Sequence, residues 1–343
     1  MRAKQIIHTW DYHHGQATRV VVGGLPPLRG ATMLEKQAYF AAHCDHVRSS
    51  LMQEPRGHRN MLGAVLTDPA TPDGDIGMIF LHPRGFFEMC GDSTFSSVAC
   101  LIDAGIISAD DPDGELSLKV DTVAGRLNVH VQMAGGEPVG ITFNNVPSYA
   151  LGAQTLRVEG FGEVEALLGY GGLTYAYVEA GQVGIPSLRE VDHSRLLEVG
   201  GQVLSDARAQ IHLPAYVGPD RIGDARPVDL ITLWEPLHAD DVKGARVANF
   251  YAPQTCGRTP SGTGLAARAA IEVAAGRLKT GETFVHESPL GLRFLARPVE
   301  TGIPRPGDGA RGVIPALTAR SFLMGTAQWV LHPDDPFQAG FIF

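Results

Sequence analysis

Two short stretches of this chain carry residues that could do chemistry. Met89-Cys90-Gly91-Asp92-Ser93-Thr94 sets a thiol just ahead of a helical pattern that runs to Gly105. Thr259-Pro260-Ser261-Gly262-Thr263-Gly264 sets a hydroxyl in the same place, ahead of a pattern that runs to Gly276. A helix start presents backbone N–H groups that the helix leaves unpaired, and a partial positive charge. Glycine after the first residue lets a ligand come close to that backbone. Two such starts across a cleft would hold one carboxylate from both sides. The same field lowers a thiol pKa to about 7 or below, so Cys90 is a candidate thiolate base. Ser261 can hydrogen-bond or give up a proton, but an unassisted serine is a poor base. A blander reading stays open at each place: Ser261 as a plain N-cap, and Cys90 as a packed, inert thiol.

The elements that must position these residues repeat along the chain. CGDSTFSSVACLIDAG (90–105) lies over SGTGLAARAAIEVAAG (261–276), with Gly91 on Gly262, Ala99 on Ala270, Ala104 on Ala275 and Gly105 on Gly276. Each unit reads as strand, glycine-containing turn, helix and a C-terminal glycine stop. The spacing predicts strands at Arg19–Gly23, Leu62–Thr67, Ile76–Leu81, Leu116–Val120, Leu127–Met133 and Gly140–Phe143, and one helix over Leu34–Leu51. In the second half it predicts strands at Thr174–Val178, Leu230–Trp234, Arg246–Tyr251, Thr283–His286, Leu292–Pro298 and within Thr318–Val330. The matching order points to a duplicated two-domain architecture.

Composition narrows the function classes. The chain has 343 residues, 44% hydrophobic and 19% charged, which is a globular composition with enough length for a large core. A net charge of −9 argues against a general nucleic-acid binder. No apolar run is long enough to span a bilayer, and residues 1–22 do not read as a secretory signal, so a soluble cytoplasmic protein is expected. Four cysteines are no disulfide framework in a chain of this length, and reduced thiols are expected. Cys100 reads as core, Cys256 as a packing or loop thiol, and Cys44 with His46 as a packed thiol beside a surface histidine. His13-His14 lacks further spaced ligands for a metal. There is no dinucleotide-binding glycine fingerprint, no phosphate-binding loop and no metal-ligand cluster. No cofactor and no metal are expected.

The two motifs resemble those of the proline racemase family, which includes proline racemases, 4-hydroxyproline epimerases and trans-3-hydroxy-L-proline dehydratases. Further stretches are similar in the same order: Gly23-Gly24-Leu25-Pro26, Glu54-Pro55-Arg56-Gly57-His58, Asp121-Thr122-Val123-Ala124-Gly125, Asn145-Val146-Pro147-Ser148, Tyr170-Gly171-Gly172, His286-Glu287-Ser288 and His332-Pro333-Asp334-Asp335-Pro336. The resemblance implies an α+β, diaminopimelate-epimerase-like fold. Its two pseudo-symmetric lobes would each carry a curved, mostly antiparallel sheet around a central helix. The first lobe would cover 1–147, with about 330–343 returning to it, and the second 148–329. The ligand would be a small amino acid, hydroxyproline or proline, with no nucleic acid and no membrane partner. A homodimer is among the assemblies this allows.

The resemblance also implies the chemistry: proton transfer at Cα of a proline-like amino acid, with backbone N–H groups at Gly91, Asp92, Gly262 and Thr263 holding the carboxylate. A racemase needs a base on each face of the carbon, and in the family those are two cysteines. Here the second is Ser261. One thiol suffices for dehydration, and family dehydratases pair Cys with Thr. The leading expectation is therefore trans-3-hydroxy-L-proline dehydration to a pyrroline-2-carboxylate, with Cys90 removing the α-proton and Ser261 assisting the leaving hydroxyl. The alternatives are 4-hydroxyproline 2-epimerase or proline racemase, and a non-catalytic binder of a proline-like metabolite. Two departures stand out. Asp92 replaces a family histidine, and Gly257 replaces a family aspartate four residues before the second catalytic position. Asp92 is expected to face the substrate ammonium in their stead, or else to be only an acidic residue favoured at a helix start. Glu54-Pro55-Arg56-Gly57-His58 is expected either to shape the cleft or to form an Arg–Glu turn lock, and His286 to be structural.

Overall fold

A computed structural model describes residues 4–216, 222–237, 242–252 and 254–343. The chain divides into two compact units: Met1–Phe143 with Ala319–Phe343, and Asn144–Thr318. Both are mixed α/β, mostly sheet with few helices. Among the described residues, no helix is long and apolar enough to cross a membrane.

In the first unit the elements run β1 (Gln5–His13), β2 (Ala17–Gly23), α1 (Met33–His43), α2 (Asp45–Met52), β3 (Leu62–Thr67), β4 (Ile76–His82), β5 (Gly85–Phe87), α3 (Gly91–Asp103), β6 (Glu115–Thr122), β7 (Gly125–Ala134) and β8 (Glu137–Asn144). β1 and β2 are antiparallel, β2 and β3 parallel, β3 and β4 antiparallel, β4 and β6 parallel, and β6 and β7 antiparallel. The single helix expected over Leu34–Leu51 is two helices. Thr32 caps α1 in a capping box with Glu35, and the break falls at Cys44, whose backbone is non-helical. The buried Cys44 packs with Phe40 and Val47 in this unit's core.

The second unit runs β9 (Tyr149–Val158), β10 (Gly162–Tyr170), β11 (Thr174–Glu179), a 3-10 turn (Ala180–Val183), α4 (His193–Gln210), β12 (His212–Tyr216), β13 (Ile222–Pro227), β14 (Leu230–Pro236), β15 (Gly244–Ala252), β16 (Thr255–Cys256), α5 (Gly262–Ala274), β17 (Phe284–Glu287), β18 (Arg293–Pro304) and β19 (Arg311–Ala319). The pairing sequence of the first unit returns. β10 and β11 are antiparallel, β11 and β14 parallel, β14 and β15 antiparallel, β15 and β17 parallel, and β17 and β18 antiparallel. The last strand, β20 (Phe322–Leu331), belongs to the first unit and lies antiparallel to β1.

Helices α3 and α5 hold the same place in their units, each after an antiparallel pair and before the next parallel strand. Each has 13 residues, ends on an alanine C-cap, and stops at a glycine of positive φ: Gly105 at 65° and Gly276 at 71°. An L side chain is strained at such an angle, which is why glycine stands at both stops. Their first eleven residues, Gly91–Leu101 and Gly262–Glu272, are all buried. A helix without a solvent face is gripped on every side, so its start is a rigid platform.

The C-terminal motif is tied to the first unit. Arg56 donates to Asp335 at 2.5 Å and to the Phe337 carbonyl at 3.3 Å, and Glu54 forms a bridge with Phe341. Arg56 thus fastens the end of the chain, and Glu54 is not its partner in a local lock.

Candidate functional site

The hairpin of β4 and β5 delivers the chain through the fully buried Met89 to Cys90, the N-cap of α3. The Cys90 Sγ accepts the Ser93 N–H at 3.4 Å, and the Cys90 carbonyl accepts both the Thr94 N–H at 3.0 Å and its hydroxyl at 2.8 Å. The thiol is thus seated on the helix start that the sequence predicts. Its acidity differs from that expectation. Burial, first, and the Asp92 carboxylate, second, push the Cys90 thiol up to about 12, while the Ser93 side chain and then the N–H groups of Ser93 and Asp92 pull it down by less. The helix-start field is real but weak beside the cost of taking a thiolate out of water, and a like charge two residues away adds to that cost. Burial and the Asp92 charge thus favour the thiol form of Cys90 over the thiolate.

Asp92 is buried and pairs with His14, whose Nε2 lies 2.8 Å from Oδ1. The other ring nitrogen of His14 is 2.9 Å from the Ser321 hydroxyl, and Ser321 is 3.1 Å from the Ser96 hydroxyl one turn into α3. His14 is therefore a partner of this helix start. Its companion His13 meets the Phe322 ring in a tilted contact instead.

In the second unit β15 and β16 deliver the chain to Ser261, the N-cap of α5. Its Oγ accepts the Gly264 N–H at 3.2 Å. The backbone of Ser261 lies at φ 63° and ψ 119°, a conformation that side-chain-bearing residues rarely adopt. The loop before it is fixed by Asn249, which sequence reasoning missed. The Asn249 carbonyl accepts the Gly257 N–H at 2.8 Å, its amide donates to the Thr259 carbonyl at 3.4 Å, and Thr232 donates to its side chain at 2.7 Å. His286 donates from Nδ1 to the Pro260 carbonyl at 3.4 Å, and burial, with Arg268 second, holds it down to about 3. It is a neutral loop support, as expected of a structural histidine.

Tyr175 on β11 was also invisible to the motif reading. Its hydroxyl lies 2.9 Å from the Ser261 Oγ and 2.6 Å from the Thr263 Oγ1, and Ser261 and Thr263 are 3.3 Å apart. Ser261 therefore belongs to a cluster of three hydroxyls. A Cβ on Gly264 would stand 3.1 Å from the Tyr175 ring, so glycine there leaves room for the cluster. At Gly257 an added Cβ meets nothing closer than 3.7 Å. Space for a Cβ therefore exists at Gly257. Cys256 belongs to the unit's hydrophobic core, and burial pushes it up to about 12; Cys100 is likewise buried and raised.

The family model described as proline racemase matches residues 9–342. The chain belongs to the proline racemase family. A 4-hydroxyproline 2-epimerase of Streptosporangium roseum is 35% identical over 348 residues, covering 100% of both chains. A proline racemase of Clostridioides difficile is 31% identical over 348 residues, covering 100% of this chain and 99% of that one. Among solved structures, a hydroxyproline epimerase from Agrobacterium vitis, with trans-4-hydroxy-L-proline bound, superposes with a TM-score of 0.88 at 26% identity, covering 100% of this chain and 96% of that one. Membership makes the chain an enzyme of this family and supports isomerase chemistry, whereas the dehydratase expectation draws no specific support from these relatives.

Proposed function

We propose that the chain inverts C2 of a 4-hydroxyproline, working with Cys90 on one face of Cα and a hydroxyl relay headed by Ser261 on the other. The observation that carries this reading is the Tyr175–Ser261 hydrogen bond of 2.9 Å. A lone serine is too weak an acid or base for the second face, but a hydrogen-bonded phenol can resupply its proton. The proton count closes through that pair. Cys90 takes the α-proton, Ser261 gives its proton to the other face of Cα, and Tyr175 gives its proton to Ser261. Solvent exchange after product release resets the thiol and the phenol. Relatives named as epimerases and racemases support the same reaction type.

Cys90 must first give up its own thiol proton to solvent before it can take the α-proton, and the substrate favours that loss. A positive ammonium brought close offsets the Asp92 charge and favours the thiolate. Asp92 is the group we assign to that ammonium, and N–H groups at the starts of α3 and α5 (Gly91, Asp92, Gly262 and Thr263) to the carboxylate.

A second reading is favoured by the thiol count. The two helix starts carry one cysteine between them, and one base is enough to dehydrate trans-3-hydroxy-L-proline. A product screen over proline, the 3-hydroxyprolines and the 4-hydroxyprolines separates the two. Epimerisation yields the C2-inverted isomer of a 4-hydroxyproline, and Tyr175→Phe lowers that turnover at least about 100-fold, the usual size of a lost acid–base group. A pyrroline product, with Tyr175→Phe as fast as wild type, would transfer the assignment to the dehydratase.

A further inference from the structure

We infer that His14 is a positioning residue for Asp92, held in one tautomer by a buried file of hydroxyls, Ser321 and Ser96. This rests on Asp92 meeting the substrate ammonium, as proposed above. The file joins distant parts of the first unit: β1 ends one residue before His14, Asp92 and Ser96 stand on α3, and Ser321 directly precedes β20. All four residues are buried.

Donor accounting gives the file a direction. An ionised carboxylate only accepts, so His14 must present Nε2–H to Asp92 across 2.8 Å. In the neutral ring Nδ1 then accepts, and the hydroxyl 2.9 Å away, Ser321, must donate. With its proton so used, Ser321 accepts from Ser96 at 3.1 Å. The ring edge is further set by Phe95, whose plane stands at 73° to the imidazole with centroids 6.3 Å apart. Titratable neighbours of the pair include Cys90, which feels the Asp92 charge, and His13, adjacent in the chain.

A carboxylate at a buried helix start needs hydrogen-bond partners to stay ionised. His14 supplies one from Nε2. The long sequence separations explain why the motif alone could not show it. Asp92 and His14 complement each other chemically as an acid and a base, so the departure at position 92 is matched by a histidine from elsewhere in the same unit.

The test uses the full-length protein with nitrogen-15-labelled histidine, the His14 signal being identified by its loss in His14→Gln. Wild type is expected to show Nε2 protonated and Nδ1 unprotonated, and Ser321→Ala to shift the ring toward a mixture of tautomers. His14→Phe is expected to raise KM for the amino acid turned over about tenfold or more, with kcat within about threefold, from the loss of one hydrogen bond to a charged group. His14→Gln, which keeps an N–H toward Asp92, should recover most of that affinity. A wild-type ring protonated at Nδ1 alone, or a folded His14→Phe protein with unchanged KM, would overturn the assignment. The ring signal is read without substrate. If the hydroxyproline reading alone fails, the signal stays as described, and the affinity arm is read by calorimetry on the amino acid that does bind.

Discussion

At Cys90 a favourable backbone field competes with burial and a neighbouring carboxylate, and the pair of unfavourable effects wins. This gives a signed prediction. If the thiolate is the base, kcat/KM of the wild type climbs with pH and is still climbing above pH 9, because the thiol is held well above its ordinary range of about 8.5. Asp92→Asn removes the like charge, so its climb moves to lower pH even as the overall rate falls through weaker ammonium binding. A pH–rate profile of both proteins checks this, and an unmoved limb in the variant would show that Asp92 does not act on the thiol. The thiol and the hydroxyl at the two helix starts were legible in the sequence because a residue type, a following glycine and a closing glycine recur at one spacing. His14, Tyr175 and Asn249 were not. Tyr175 is 86 positions from Ser261 and His14 is 78 from Asp92, and only the strand order brings each to its helix start.

Among the elements, α3 and α5 were read correctly from that same spacing, and the five strand pairs that repeat between the units mostly lie where alternation and turn residues predict them. The 18-residue α4 escaped the sequence reading. Its middle carries Gly200-Gly201, which costs a helix about 1 kcal/mol per glycine and hides the pattern. The fold explains the first of the two: a Cβ on Gly200 would lie 2.1 Å from the Phe250 ring. Phe250 is fully buried on β15, which leads toward Ser261. Gly200→Ala gains helix propensity but must displace that ring. We expect a net loss of stability of about 1–3 kcal/mol, the usual cost of overpacking, read as a lower urea midpoint. A variant as stable as wild type would mean that α4 shifts freely against β15. The break at Cys44 was also missed, since apolar spacing continues across it and only the backbone angle reveals the two helices.

For the molecule as a whole, burial leaves an alkaline signature. Cys90, Cys100 and Cys256 are each pushed up to about 12, and burial also holds the Tyr12 and Tyr177 phenols above their ordinary value. A group whose folded pKa lies above its unfolded value contributes stability below the unfolded pKa and loses it as pH rises toward the folded one, because the unfolded chain releases the proton first. The melting temperature should therefore fall from about pH 8.5 upward, and a flat profile to pH 10.5 would contradict the buried thiols. The duplicated pairing order of strands is the molecular counterpart of the two helix starts, and the proposed epimerisation needs both of them to serve one carbon atom. The most direct measurement is turnover of trans-4-hydroxy-L-proline in deuterium oxide, followed at C2 by NMR. Wild type is expected to give the inverted isomer carrying deuterium at C2, Ser261→Ala to exchange the α-proton without inverting it, and Cys90→Ala to do neither. Inversion by Cys90→Ala at the wild-type rate would contradict the proposal.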